Sequence, residues 1–403
     1  MKYALVLGDG MADLPVAELG NKTPLEAANK PYIDMLAKTA RLGIVKTIPD
    51  GFKPASDTAN LSVLGYAPEK YYTGRSPLEA VSLGVKMEDD DIAIRCNLVT
   101  LSDEADYEDK TMVDYSAGEI TTEESTELIK YLEANLGCEE FHFYPGISYR
   151  HCLIIKHTTT GTDFTPPHDI STQVVGTHLP KDKDAEFYLE LQKKSYELLK
   201  DHPINKKRIE KGLHPANSIW LWGEGTKPIL DNFKDKFGKN GAMVCAVDLL
   251  KGIAISAGLK LYTVEGATGG PVTNFKGKGD AALKALQDGN DFVYVHIEAP
   301  DECGHQGNPK LKVSAIQEID KNIVGTLFNG LMKMGEEFCI MVLPDHPTPV
   351  STMTHSRQPV PFMIYSNQVD CEGKESYNEK TAAETGEFIG VGSDLIKEFF
   401  ATK

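Results

Sequence analysis

The sequence predicts an α/β fold: a mostly parallel sheet flanked by helices, interrupted by an inserted α+β domain. Three observations carry this. From Ser218 onward the apolar runs "SIWLWG", "AMVCAV", "LYTV", "FVYVHI", "FCIMVL" and "PFMIY" alternate with helical segments, and near-continuous apolar strands belong in sheets covered on both faces. The opening run Met1–Leu7 is one more such strand, ending at "GDG". Between these lies a stretch of different character, rich in polar and Gly/Pro-containing loops such as "HTTTGTDFTPPHD".

The elements follow in order. Thr23-Pro24-Leu25-Glu26 reads as a capping box, with Thr23 as N-cap and Glu26 at the third helical position. Apolar spacing through Tyr32, Met35 and Leu36 continues a helix. Gly43–Ile48 is a short strand, and Leu61–Leu64 sits in a helix that starts near Ser56. Ile92–Leu101 and His151–Lys156 read as strands, Thr122–Asn135 and Ala185–Leu199 as helices. After Ser218 the helices are Leu249–Ala257, Gly279–Gln287, Lys312–Met332 and Gly392–Phe399. The domain reading is a discontinuous core, 1–90 and 215–403, with an inserted domain at 91–214.

Composition narrows the function. The 403 residues carry a net charge of −17, which argues against nucleic-acid binding. No apolar run is long enough for a membrane span, and the first residues make a poor signal peptide, so a cytoplasmic protein is expected. The seven cysteines are odd in number and never spaced CxxC, which disfavours a disulfide framework or a cysteine zinc site. An acidic protein with an anionic substrate needs a local positive source, for which metal ions serve.

Open α/β sheets present ligands beyond the carboxyl ends of their strands. There the sequence places Asp9 in "LVLGDGMAD", Asp301 and His305 in "VYVHIEAPDECGHQGN", Asp345 and His346 in "MVLPDHPTP", and His355 in "THSRQPVPF". Any one of these has a plain structural explanation as a turn or cap residue, and His296 reads as a core residue. Jointly, three Asp and three His suit Zn, Mn or Fe(II) and are enough for two ions. Two neighbouring ions serve transfer to and from phosphorus. Ser56, at the start of its helix, is either an N-cap or a nucleophile activated by a metal. "GDGMAD" departs from the dinucleotide fingerprint, and neither HExxH nor a P-loop occurs.

The segments "LGDGMAD", "SDTANLSVLGY", "GRSPLEA", "WLWGEG", "AVDLLKGI", "EGATGG", "VHIEAPDECGH" and "DHPTPV…HSRQPVPF" resemble the archaeal-type branch of cofactor-independent phosphoglycerate mutases, in the alkaline phosphatase superfamily. The likeness covers almost the whole chain and implies an alkaline-phosphatase-like core with a cap domain. It implies one metal held by Asp9, Ser56, Asp345 and His346, with Ser56 as the phosphorylated nucleophile. It implies a second metal held by Asp301, His305 and His355, and Lys251 as a phosphoryl-binding lysine. The ions it implies are divalent, Mn²⁺ first, with Zn²⁺, Mg²⁺ or Co²⁺ as alternatives. The implied reaction moves a phosphoryl group from 3-phosphoglycerate to Ser56 and back to the 2-hydroxyl, without 2,3-bisphosphoglycerate. The substrate is a small phosphorylated metabolite, and Arg75, Arg95, Arg150, His151 and His168 are candidate cations for its carboxylate. The chain departs from the longer bacterial form around the nucleophile, where it reads Ala55-Ser56-Asp57, and in the cap, whose motifs do not match. A bacterial subgroup resembling this sequence has been proposed as homoserine kinase, so a phosphotransferase or phosphatase on the same core is the alternative. A non-enzymatic binding protein with structural Asp and His residues is the third reading.

Overall fold

A computed structural model describes residues 1–402, in two units: Met1–Tyr72 with Ile229–Lys403, and Thr73–Pro228. No helix among the described residues is long and apolar enough to cross a membrane. The cysteines form no disulfide among them, and five are buried.

The first unit is built on an eight-stranded sheet. Its centre is the first strand, Lys2–Gly8, which pairs in parallel with Phe292–Ile297 on one side and Phe338–Leu343 on the other. Gly241–Val244 and Lys260–Leu261 extend the Phe292 side in parallel. On the other side Val360–Ser366 runs antiparallel to Phe338–Leu343, then come Arg41–Val45 and Phe388–Ile389. The expected strand "PFMIY" is therefore the antiparallel member of a mostly parallel sheet.

Alternation sends the strands' side chains into two cores. Ala4 and Val6 pack with Leu25, Ile33, Ile316 and Leu327 from one helical layer. Tyr3 packs edge-on against Phe399 and Phe400 of the last helix, Leu395–Ala401. With both faces covered, Phe338–Leu343 is buried at every position, each such apolar side chain contributing about 1.5–3 kcal/mol. The capping box forms as expected: Thr23 Oγ1 accepts from the Glu26 N–H, and the Thr23 N–H donates to Glu26 Oε2. The expected helix Lys312–Met332 is a longer one, Pro309–Met334, with a π turn at Asp320–Val324.

The second unit differs from the expected boundaries. Its antiparallel sheet is centred on Ile92–Leu101, which pairs with Arg150–Ile155 on one side and Ser218–Thr226 on the other. The "SIWLWG" strand, expected in the parallel sheet, belongs here because it pairs with Ile92–Val99. The helix Arg75–Ser82 also falls in this unit. Ile92, Ile94, Cys96 and Leu98 face the helices Thr122–Leu136 and Ala185–Leu199. Ala93 lies on the opposite face, against Ala80 of the Arg75 helix.

Candidate metal centre

The sheet of the first unit delivers side chains to one end. After Gly8 the chain turns at Gly10, whose φ is 59°. A Cβ there would lie 2.5 Å from Asp301 Oδ1 and 2.7 Å from Asp301 Cα, so only glycine fits. The close approach lets the Gly10 N–H donate to Asp345 Oδ1 at 3.0 Å. The second glycine of "GDG" thus seats two other strand ends against the loop that carries Asp9.

One group of ligand atoms comprises Asp9, Asp345 and His346, all buried. His346 Nε2 lies 3.6 Å from Asp9 Oδ1 and 3.5 Å from Asp345 Oδ2. Ser56 Oγ lies 3.2 Å from the same nitrogen. Ser56 was open to reading as a cap, but it is the first residue inside the helix Ser56–Val63; Ala55 is the N-cap, and no side chain caps that end. The hydroxyl therefore faces His346 instead of its own helix.

The other group joins Asp301, His305 and His355. Asp301 Oδ2 is 3.2 Å from His305 Nε2, Asp301 Oδ1 is 3.5 Å from His355 Nε2, and the two Nε2 atoms are 3.0 Å apart. His346 and His355 overlap, with ring centroids 4.1 Å apart. The two groups share a wall.

Each of the three imidazoles has its other nitrogen anchored. His305 Nδ1–H donates to the Met353 carbonyl at 3.0 Å and His355 Nδ1–H to that of Pro54 at 3.3 Å. Thr348 Oγ1 donates to Asp301 Oδ1 at 2.5 Å, so it accepts from His346 Nδ1–H at 3.3 Å. With every Nδ1 committed to these partners, all three Nε2 atoms are turned toward the carboxylates, the orientation in which an unprotonated Nε2 can ligate a metal.

These residues fit a pair of divalent ions. Asp9 Oδ1 is buried with no hydrogen-bond partner among the described residues. Burial, then the charge of Asp345, pushes the Asp9 carboxyl well above its ordinary value, since neighbouring buried carboxylates cannot all ionise without a cation. At the other group, the hydrogen bond to Asp301 pushes His305 up to about 9. Burial opposes ionisation of Asp301, but hydrogen bonds from His305 and His355 outweigh it and hold that carboxyl well below the ordinary range. In the metal-free chain, protons occupy what cations would neutralise.

A family model described as 2,3-bisphosphoglycerate-independent phosphoglycerate mutase matches residues 37–205. A curated protein of that name from Methanosarcina barkeri is 48% identical over 398 residues, covering 98% of each chain. The chain belongs to this family. A probable member from Geobacter sulfurreducens is 47% identical, over 98% of this chain and 99% of its own. Among solved structures, a Pyrococcus horikoshii protein is 31% identical with a TM-score of 0.82, covering 99% of this chain and 96% of its own. A cofactor-independent phosphoglycerate mutase from Thermoplasma acidophilum is 26% identical with a TM-score of 0.67, covering 100% and 99%.

The other candidates of this family member fall outside those groups. Lys251, on the helix Asp248–Ser256, is held by Asp248 at 2.9 Å. In the second unit, Arg75 and Arg95 grip Glu79 at 2.8 and 3.0 Å. Burial would raise Glu79, but the charges of Arg95, Arg75 and Arg150 outweigh it and keep its carboxyl low. Arg95 lies over the Trp222 ring at 4.2 Å, and His168 packs edge-on against the same ring. Three arginines thus form one cationic cluster, more positive than Glu79 balances; His168 lies beside it, and burial pushes its imidazole below the ordinary value, favouring the neutral form.

His151 does not join it. Arg150 sits opposite Asn97, on the same face as Arg95, whereas His151 sits opposite Cys96 on the apolar face. Its Nδ1 accepts from the Gly146 N–H at 3.0 Å, and burial, then Arg150, pushes it down to about 3. It is a neutral structural histidine.

Sequence reasoning missed the neutral supports: Thr348 and also Asn60, whose Nδ2 donates to Asp345 Oδ2 at 2.9 Å and to the Ser56 carbonyl at 2.8 Å. The signal for Asn60 was its place four residues after Ser56, on the same helix face. Thr348 offered no comparable signal.

Proposed function

We propose that this chain interconverts 3-phosphoglycerate and 2-phosphoglycerate through a phosphoserine at Ser56, with two divalent ions and without 2,3-bisphosphoglycerate. The observation that carries it is the Ser56 hydroxyl, uncommitted to its helix and 3.2 Å from His346 Nε2 at the wall shared by both ligand groups. Family membership supports the same reading.

Asp9, Ser56, Asp345 and His346 would hold one ion, and Asp301, His305 and His355 the other; Mn²⁺ is the first choice for this O/N donor set. Bound ions would neutralise phosphoryl charge and make the Ser56 hydroxyl easier to deprotonate. Ser56 Oγ then forms a bond to phosphorus as the bond to the 3-oxygen breaks, and the proton given up by Ser56 ends on the 3-oxygen, leaving phosphoserine and glycerate. The 2-oxygen next forms its bond to phosphorus as the Ser56 bond breaks, its proton returning to Ser56 Oγ, so no phosphate is gained or lost. Ser56 opens its helix, where the backbone dipole favours the added negative charge. Lys251 is the candidate for a further phosphoryl contact. Arg75, Arg95, Arg150 and His168 are the candidates for recognising the carboxylate, for which guanidinium groups suit.

The test is purified Mn²⁺-loaded protein given 3-phosphoglycerate without bisphosphoglycerate. Formation of 2-phosphoglycerate is expected. Its absence, with phosphohomoserine formed from ATP and homoserine in a parallel tube, would replace the mutase reading by the kinase.

A further inference from the structure

Two side chains on the strand Phe292–Ile297 stand behind the carboxylates of one ligand group. Tyr294 and His296 are two residues apart, so they project from one face of the sheet, and both are at most 1% exposed. His296 Nε2 lies 3.0 Å from Asp9 Oδ2, where its N–H donates to the carboxylate once Asp9 is ionised. The Tyr294 hydroxyl donates to Asn60 Oδ1 at 2.5 Å, and Asn60 Nδ2 donates to Asp345 Oδ2. One path is direct and the other passes through a single amide, but each ends on an aspartate of the Asp9–Asp345–His346 group.

An aspartate's terminal torsion is broad, so an unheld carboxylate presents either oxygen in many orientations. The His296 bond removes that freedom from Asp9: with Oδ2 engaged, Oδ1 is the oxygen that faces His346. Packing alone does not account for His296. Its Nδ1 is buried with no partner among the described residues, and an apolar residue would fill the space without that desolvation cost. Lys278, itself fully buried, donates to the His296 carbonyl at 3.1 Å and so fixes the backbone at this position.

We propose that His296 and Tyr294 are positioning residues that set the affinity of the Asp9–Asp345–His346 group for its ion without touching it: His296 holds Asp9 Oδ2 so that Oδ1 faces the ion, and Tyr294 fixes Asn60, whose amide orients the Asp345 Oδ2 that faces His346. This rests on the two-ion reading above. The strand does two jobs: its carboxyl end leads into the helix that carries Asp301 and His305, and its buried face aligns the ligands of the other group.

The test is calorimetric titration of full-length, metal-stripped protein with Mn²⁺, with circular dichroism as a check on folding. Wild type is expected to bind two ions. His296→Leu should weaken one of the two sites by about 10–100-fold, the usual effect of removing a residue that orients a ligand. His296→Gln, which keeps an N–H donor, should recover most of the loss, and Tyr294→Phe should weaken the same site by a smaller factor. Wild-type affinities in folded His296→Leu and Tyr294→Phe would overturn the proposal, as would a Gln variant as weak as Leu. If His296→Leu fails to fold, Tyr294→Phe, which deletes one oxygen, decides alone. A wild type that binds fewer than two ions would overturn the two-ion reading itself, and the inference with it.

Discussion

The Thr348 hydroxyl lies 2.5 Å from Asp301 Oδ1 and, having donated its proton there, can only accept from His346 Nδ1. One side chain thereby fixes the tautomer of a ligand in one group and the orientation of a carboxylate in the other. Thr348→Val keeps the shape and removes both bonds. Its expected effect is a fall in Mn²⁺ affinity of about 10–100-fold, at both sites, read by calorimetry. Weakening confined to one site would contradict the bridging role.

Ser56 caps nothing, so its removal should cost little stability. Ser56→Ala is expected to lower turnover by about 10⁴-fold or more while changing unfolding free energy by less than about 0.5 kcal/mol. Activity is followed by conversion of 3-phosphoglycerate and stability by urea titration. Retained turnover would remove the nucleophile assignment.

Glu379 gives a pH dependence separate from the metal groups. Its Oε1 accepts from the Asp13 N–H and its Oε2 from the Thr23 hydroxyl. Burial pushes it up to about 7 from an ordinary 4.5. The folded chain therefore holds this proton more tightly than the unfolded one, so the contribution of Glu379 to stability falls as pH rises from 4.5 through 7 and is flat above. Glu379→Gln, which mimics the protonated form, should match wild type near pH 4 and exceed it by about 3 kcal/mol at pH 8. Urea titrations at the two pH values check it, and an equal difference at both would contradict it.

Lys312 is buried and spends its three N–H bonds on the Ala12 carbonyl at 3.2 Å, the Thr348 carbonyl at 2.9 Å and Asp13 Oδ2 at 2.7 Å. It ties the loop after Asp9 to the loop after His346. Lys312→Met strands the Asp13 carboxylate and should destabilise by about 3–5 kcal/mol. Adding Asp13→Asn should restore part of that loss, because the stranded charge is gone. Additive losses in the double variant would show that the pair acts only through packing.

The sequence made the charged ligands legible because Asp and His at strand ends are few and their chemistry is distinctive. Asp9, Asp345 and His346 gather in one group, Asp301 and His355 in another beside His346, and His305 lies 3.2 Å from Asp301. Ser56 was legible in place but not in role, since a serine opening a helix reads equally well as a cap; only the geometry of Ala55 separates the two. His151 and Arg150 are neighbours in sequence yet lie on opposite faces of their strand, and which face carries the cations is settled by pairing with Ile92–Leu101. The Ser218–Thr226 strand was misplaced for a related reason: an apolar run reports burial but not its partner. Thr348, Asn60 and Tyr294 act through hydrogen bonds to residues distant in sequence, and neutral polar residues are too common to stand out.

The first strand lies between two strands made late in the chain, Phe292–Ile297 and Phe338–Leu343. During synthesis at roughly 5–20 residues per second, the apolar run Tyr3–Leu7 emerges early and stays without sheet partners for some tens of seconds. Asp9 and Ser56 wait with it, while Thr73–Pro228 is made in between and has its own sheet and cores to close. The whole of Thr73–Pro228 is thus synthesised while both edges of the first strand still lack their partners. Chaperone demand in this protein should therefore track how quickly translation reaches Leu343, and a pause site placed before that point should raise aggregation more than the same pause placed after it.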